Sequence, residues 1–101
     1  MIKMNQTEAP HHTKLFHSLL KQIDHKSKFE YNIKTNIWKS EDKTYIEIDI
    51  KRDDGGIMFY VLKKFIDRLK EHGIPNYHHI NIWAILPAED GFITLSGKFE
   101  E

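Results

Sequence analysis

The sequence predicts an α+β fold in which two helices cover one face of a single antiparallel four-stranded sheet. Three observations support this: two amphipathic helical patterns, two alternating strand patterns after each of them, and turn residues between the strands. The tripeptide Asn-Ile-Trp also recurs, at 36–38 and at 81–83, with its tryptophans at equivalent places in two strand patterns. Either one αββ unit is duplicated or two units share a pattern, and both alternatives predict the order αββαββ.

The first helix is expected from about residues 9–13 to residues 23–24, after a flexible polar tail at 1–8. Its apolar residues follow the spacing of one buried helix face, and they are Leu15, Phe16, Leu19, Leu20 and Ile23. Pro10 is tolerated only in the first turn of a helix, which places the helix start close to it. The length of the remaining chain is that of one domain, expected over residues 9–101.

The first hairpin is expected over residues 29–51, where apolar and polar residues alternate on both sides of a turn at 40–43. In its second strand, Ile46, Ile48 and Ile50 form the buried face. The run 53–56, Asp-Asp-Gly-Gly, then ends the strand. Its aspartates are expected to cap free N–H groups of the next helix.

The second helix is expected from about Ile57 to His72. A stripe of apolar residues marks its buried face, namely Met58, Val61, Leu62, Phe65, Ile66 and Leu69. Gly73 and Pro75 form the usual signal that ends a helix. Because each helix has one apolar face, we expect both to pack on the same face of the sheet.

The last two strands are expected at 77–86 and 92–99, joined by a turn at 87–91. Moving the final strand to the front gives βαββαβ, so the order is a circular permutation of the ferredoxin-like arrangement. In that arrangement the 77–86 strand lies at an edge of the sheet. Its run 80–86 holds neither a charged residue nor Pro, so either this edge pairs with another chain or the strand order is different.

The sheet face opposite the helices is the strongest candidate for a functional surface. Its expected aromatic and apolar residues are Trp38, Tyr45, Tyr77, Trp83, Ile85 and Phe92. Three interpretations compete. A protein partner or second subunit covers these residues, or bases stack on them, or the strands twist or a tail folds back so that they belong to an ordinary core. Charges of both signs share this face, for example Glu47 and Asp49 with Lys34, which favours the protein partner over a phosphate backbone.

Composition and charge argue against several classes of protein. The net charge is zero, from 15 basic and 15 acidic residues, which disfavours binding to nucleic acid by bulk charge. Residues 1–40 carry seven Lys against three acidic residues, and residues 41–101 carry eight basic against twelve acidic residues. Two halves of opposite net charge are consistent with self-association, with a charged protein partner, or with charges that neutralise each other within one fold. Cys is absent and no apolar run could span a membrane, so we expect a cytoplasmic protein without a membrane partner.

No motif indicates catalysis, a metal or a cofactor. The seven histidines include adjacent pairs at 11–12 and 78–79, but none has metal-binding spacing on a helix. Asp49, Asp53 and Asp54 are the densest carboxylate group, and strand-end and helix-cap chemistry explains them. We therefore expect no catalytic residue, no metal and no cofactor.

These features predict a small non-enzymatic protein-interaction domain, acting on a protein partner or as a homodimer. Small domains without Cys include inhibitors, immunity proteins and phage-encoded antagonists, an association at the level of class only. Two alternatives stay open: RNA or single-stranded nucleic-acid binding by the same aromatic residues, and a small nuclease that uses His and Lys side chains.

Overall fold

The fold is given by a computed structural model, which describes residues 9–26, 28–72 and 79–100. Within these ranges, two α-helices and four β-strands follow one another in the predicted order αββαββ. The elements are α1 (Ala9–Ile23), β1 (Tyr31–Ser40), β2 (Lys43–Arg52), α2 (Phe59–Glu71), β3 (Ile80–Pro87) and β4 (Ile93–Phe99). The fold class predicted from the sequence is confirmed.

The strands form one antiparallel sheet in the order β1-β2-β4-β3. Strand β4 lies between β2 and β3, and α2 connects these two parallel strands across it. This is a split βαβ unit, and its strand order is the one expected for the permuted arrangement. Strands β1 and β3 are therefore the two edges, as expected for β3.

One hydrophobic core lies between the sheet and both helices. Ile46, Ile48 and Ile50 of β2 are fully buried, because every second residue of this central strand points toward the helices. The rings of Phe16 in α1 and Phe65 in α2 meet edge to face, with centroids 5.8 Å apart. This aromatic pair joins the two helices over the centre of the sheet.

The first hairpin has the tight turn predicted at 40–43. Ser40 pairs with Lys43, and the two residues between them, Glu41 and Asp42, have φ of 52° and 63°. Two successive left-handed residues twist the chain in the sense that matches the right-handed twist of the flanking strands. The register of β1 against β2 therefore runs without interruption from the turn to Tyr31.

Two expectations about the start of α2 are wrong. Met58 is the N-cap residue and is exposed, so it does not join the buried stripe, and no side chain caps the helix there. Asp54 instead accepts hydrogen bonds from Arg52 Nε at 2.6 Å and Arg52 Nη2 at 2.8 Å. A guanidinium group binds both oxygens of a carboxylate at once, so Asp54 stays with Arg52 rather than with the helix.

Some expectations fall on residues outside the described ranges. These are the tail at 1–8, the helix stop signal at Gly73 and Pro75, and the strand start at Tyr77.

Candidate functional site

Three aromatic residues form one cluster on the sheet face opposite the helices. Trp38 and Tyr45 are directly opposite each other in β1 and β2, with ring centroids 5.9 Å apart and an interplanar angle of 22°. Trp83 of β3 meets Tyr45 edge to face at 6.0 Å. Tyr45 alternates with the buried isoleucines of β2, so the three rings, here called the aromatic cluster, lie on the open face.

A β-bulge in the edge strand β3 positions Trp83. The register of β3 against β4 shifts between Ile82 and Ala84, so Trp83 is the extra residue. Gly97 of β4 lies opposite Ile82, and a Cβ there would lie only 2.2 Å from the Asn81 carbonyl oxygen. Glycine thus allows the two backbones to approach closely where the bulge begins. Trp83, the residue that follows, is 53% exposed.

The bulge overturns the placement expected for Ile85. Ile85 lies opposite Leu95, which is fully buried under the helices, so Ile85 belongs to the helix-facing side and not to the open face. Leu86 takes the open face instead, opposite Thr94. One inserted residue inverts the alternation of every side chain that follows it. Both remain largely exposed, Ile85 at 44% and Leu86 at 55%.

The two Asn-Ile-Trp copies are not structurally equivalent. Trp38 lies opposite Tyr45, the aromatic residue that opens the second alternating run. In the sequence, Phe92 of the second hairpin corresponds to Tyr45. Phe92 is not opposite Trp83, however, because its carbonyl accepts a hydrogen bond from the N–H of Ala88, which is five residues beyond Trp83. The expected equivalence is wrong, because the second hairpin has a longer connection and a bulge. That difference is what brings both tryptophans to the same end of the sheet.

Phe92 lies apart from the aromatic cluster, at the opposite end of the open face. The Nζ atoms of Lys34 and Lys51 lie 4.6 Å and 5.6 Å from the centre of its ring. Between Phe92 and the cluster, Thr94 Oγ1 donates a hydrogen bond of 2.6 Å to Asp49 Oδ1. The open face therefore has two aromatic areas with a polar strip between them, and the sixth expected residue, Tyr77, lies outside the described part of the chain.

A buried polar network, missed in the sequence, ties the end of α1 to the start of β1. The Tyr31 hydroxyl donates a hydrogen bond to Asp24 Oδ2, and Arg52 Nη1 lies 3.9 Å from the same oxygen. Burial, followed by the hydrogen bond to Asp24, raises the pKa of Tyr31 well above its ordinary value. The hydrogen bonds between Arg52 and Asp54 raise the pKa of the first and lower the pKa of the second.

The described histidines are spread over the fold rather than gathered in one site. His12 is fully buried, with its ring near those of Phe16 and Phe99 at 6.3 Å and 6.0 Å. The carbonyl oxygen of Tyr31 accepts a hydrogen bond of 3.2 Å from His17 Nε2. Among the residues that the structure describes, no three His, Asp or Glu side chains are grouped so that they could hold a metal ion.

Comparisons with protein-family models, with curated proteins and with solved structures found no match for this chain. In the described ranges, neither helix is long and apolar enough to cross a membrane.

Proposed function

We propose that the chain is a non-enzymatic protein-interaction domain that binds a protein partner through the aromatic cluster. The observation that carries this proposal is the assembly of Trp38, Tyr45 and Trp83 into one group on the open face. Half of the Trp83 side chain stays in water although it is large and apolar. Exposed apolar groups of this kind mark contact surfaces.

The geometry of the cluster suits a binding hot spot. Tyr45 is in contact with a tryptophan on each side, so its ring and that of Trp38 are already ordered before a partner arrives. Aromatic side chains bury a large area for few rotatable bonds, and ordering them in advance lowers the entropy lost on binding. Leu86 extends the apolar surface along β3 on the same face.

The charges around the cluster favour a protein partner over a nucleic acid. Lys98 lies beside Tyr45 in the sheet, but Glu47 follows on the same face and lies opposite Ser96. A surface that follows a phosphate backbone needs a continuous positive groove, which this alternation of signs does not provide. Phe92 adds little as a stacking platform, because the Lys34 and Lys51 ammonium groups already lie against its ring.

The arrangement of the polar residues supports binding rather than catalysis. His12 packs in the core, His17 bonds to the backbone of β1, and Asp54 bonds to Arg52. Each of these groups has a structural role, so the nuclease alternative gains no support from them. The resulting picture, one apolar contact surface on a small rigid domain, is that of inhibitors, immunity proteins and phage antagonists, and this comparison is at the level of class.

The proposal is tested with the double variant Trp38→Ala/Trp83→Ala in affinity capture with quantitative mass spectrometry. We expect proteins that are captured by the wild type to be lost from the double variant and kept by Phe59→Ala. Phe59 is the matched control because it is a large aromatic residue, 73% exposed, on the helical side of the molecule. Circular dichroism checks that the double variant is folded.

Raising the salt concentration separates the proposal from the nucleic-acid alternative. Capture through apolar rings should persist, whereas a protein with several phosphate contacts loses on the order of a thousandfold in affinity between about 50 mM and about 200 mM salt. Capture of nucleic acid that disappears with salt would contradict the proposal. So would capture that survives loss of both tryptophans but depends on Asp49, Asp53 or His79.

A further inference from the structure

The outer edge of β3 is an uncharged, apolar strip exposed on both faces of the sheet. Trp83 and Leu86 are exposed on the open face, and Ile85 is exposed on the helix-facing side. Monomeric proteins usually protect an edge strand with charges or by covering it. We propose that β3 pairs antiparallel with β3 of a second copy of this chain, about a twofold axis at Ile85. This contact goes beyond the proposed function, and either of the two can fail without the other.

The hydrogen-bonding pattern of β3 directs the free backbone groups of Ile85 outward. Ala88 N–H donates to the Phe92 carbonyl at 2.8 Å, which marks positions 88 and 92 as a hydrogen-bonded pair. Such pairs alternate along an antiparallel ladder, so Leu86 and Ala84 also direct their groups toward β4. The N–H and C=O of Ile85 then point away from β4, in the plane of the sheet, where another strand can bond to them.

The same hydrogen-bonding pattern determines the register of β3 against β3 of the second copy. In the regular part of β3, which follows the bulge, Ile85 and Pro87 are the residues whose groups point outward, and proline has no N–H to donate. A twofold axis at Ile85 lets the two copies of Ile85 exchange both hydrogen bonds. It also sets Ala84 opposite the larger Leu86 of the second copy, so that the two side chains form a cross-strand pair on the open face.

The charges at the two ends of β3 suit an antiparallel contact. One end is followed by Glu89 and Asp90, and at the other end Asn81 pairs with Lys98 of the neighbouring strand. In the proposed register Glu89 lies across the seam from Asn81 of the second copy. The acidic turn of each copy therefore approaches the end of the sheet that carries Lys98, and the zero net charge adds no long-range repulsion.

The dimer would hold two aromatic clusters on one surface. Directly opposite residues of an antiparallel pair point to the same face, so joining the β3 edges keeps both open faces on the same side. The product is a continuous eight-stranded sheet with a twofold axis perpendicular to it. A partner with repeated or twofold-related sites would then meet both copies of Trp83 at once.

Cysteine cross-linking tests the register directly, because the chain has no Cys of its own. In a hydrogen-bonded pair the Cα atoms lie about 5.5 Å apart, within the range of about 4.4–6.8 Å that a disulfide spans. Ile85→Cys should therefore form a covalent dimer readily on mild oxidation. Leu86→Cys is the matched control, since its copies would be diagonal neighbours about 7–8 Å apart and should cross-link several-fold less.

A variant on the opposite edge sets the background. Lys34 is an exposed residue of β1, so Lys34→Cys should cross-link only at the rate of random collision. Ile85→Cys dimers in clear excess over both other variants would support the proposal. Equal cross-linking of Ile85→Cys and Lys34→Cys would overturn it.

Sedimentation velocity gives a second, independent test without cross-linking. The wild type should be dimeric at micromolar concentration, and Ile85→Lys should be monomeric while its circular dichroism is unchanged, because an edge lysine blocks strand pairing. Trp38→Ala should stay dimeric. A wild type that is monomeric at all concentrations overturns the proposal, and so does a dimer that persists in Ile85→Lys.

Discussion

The two edge strands carry the same tripeptide but differ in how they meet water. Along β1, Lys34 and Lys39 are exposed, and the Thr13 hydroxyl of α1 donates a hydrogen bond of 2.9 Å to the Thr35 hydroxyl. Along β3, no residue is charged, and Trp83 is bulged out of register. Charged side chains therefore protect one edge, while the other edge has none.

The difference arises from the neighbours of the tripeptide rather than from the tripeptide itself. The two-residue turn after β1 keeps Trp38 in register with Tyr45, where it is half-buried. In the second hairpin, Gly97 lets β3 come close and a bulge follows, so Trp83 is exposed. A sequence motif therefore fixes the type of side chain, and the partner strand decides whether that side chain is core or surface.

Phe65→Ala should have the largest effect, and it should act on both edges equally. Phe65 is fully buried and packs on Phe16, so removing the ring should cost about 3–5 kcal/mol of unfolding free energy. Urea denaturation measures the loss, and Phe59→Ala, an exposed ring on the same helix, should change little. Amide exchange should rise in β1 and β3 alike. A loss of protection confined to one edge would show that the two halves do not share one core.

Tyr31→Phe should weaken the β1 side by about 1.5–3 kcal/mol, because the lost hydrogen bond goes to a charged carboxylate. The raised pKa of Tyr31 means that the fold favours the neutral phenol. Its stabilising contribution is thus complete below the ordinary tyrosine pKa, about 10, and is lost as pH rises above it. Unfolding midpoints in urea from neutral to strongly alkaline pH should converge for wild type and Tyr31→Phe. Parallel curves would contradict this, and Tyr60→Phe is the exposed control.

Gly97→Ala should disturb the β3 side alone. The new Cβ would collide with the Asn81 carbonyl oxygen, and backbone cannot move aside as a side chain can, so we expect a cost of about 1–3 kcal/mol. Gly56→Ala is the matched control, since the nearest atom to its Cβ is the end of the Arg52 side chain at 3.8 Å. Residue-resolved amide exchange should change in β3 and β4 and not in β1. An unchanged β3 would mean that the close approach does not set the bulge.

Periodicity was sufficient to predict the order of elements, because each helix and strand places its apolar residues at its own spacing. Periodicity gave the wrong face for Ile85, because the alternation of side chains holds only until a bulge inserts a residue. Gly97, inside the last strand, was the one sign of that bulge in the sequence. It also missed Tyr31, Asp24 and Arg52. Their contact joins a helix end to two strands, and no local spacing encodes such a meeting.

The absence of charged residues along β3 favours pairing of two copies of this molecule through the β3 edge and not through the β1 edge. Hydrogen–deuterium exchange of the wild type, followed from dilute to concentrated solution, distinguishes the two edges. We expect the outward amide of Ile85 to become more protected as the protein concentration rises, while exchange along β1 from Tyr31 to Ser40 stays constant. Protection that rises along β1 instead, or along neither edge, would contradict this expectation.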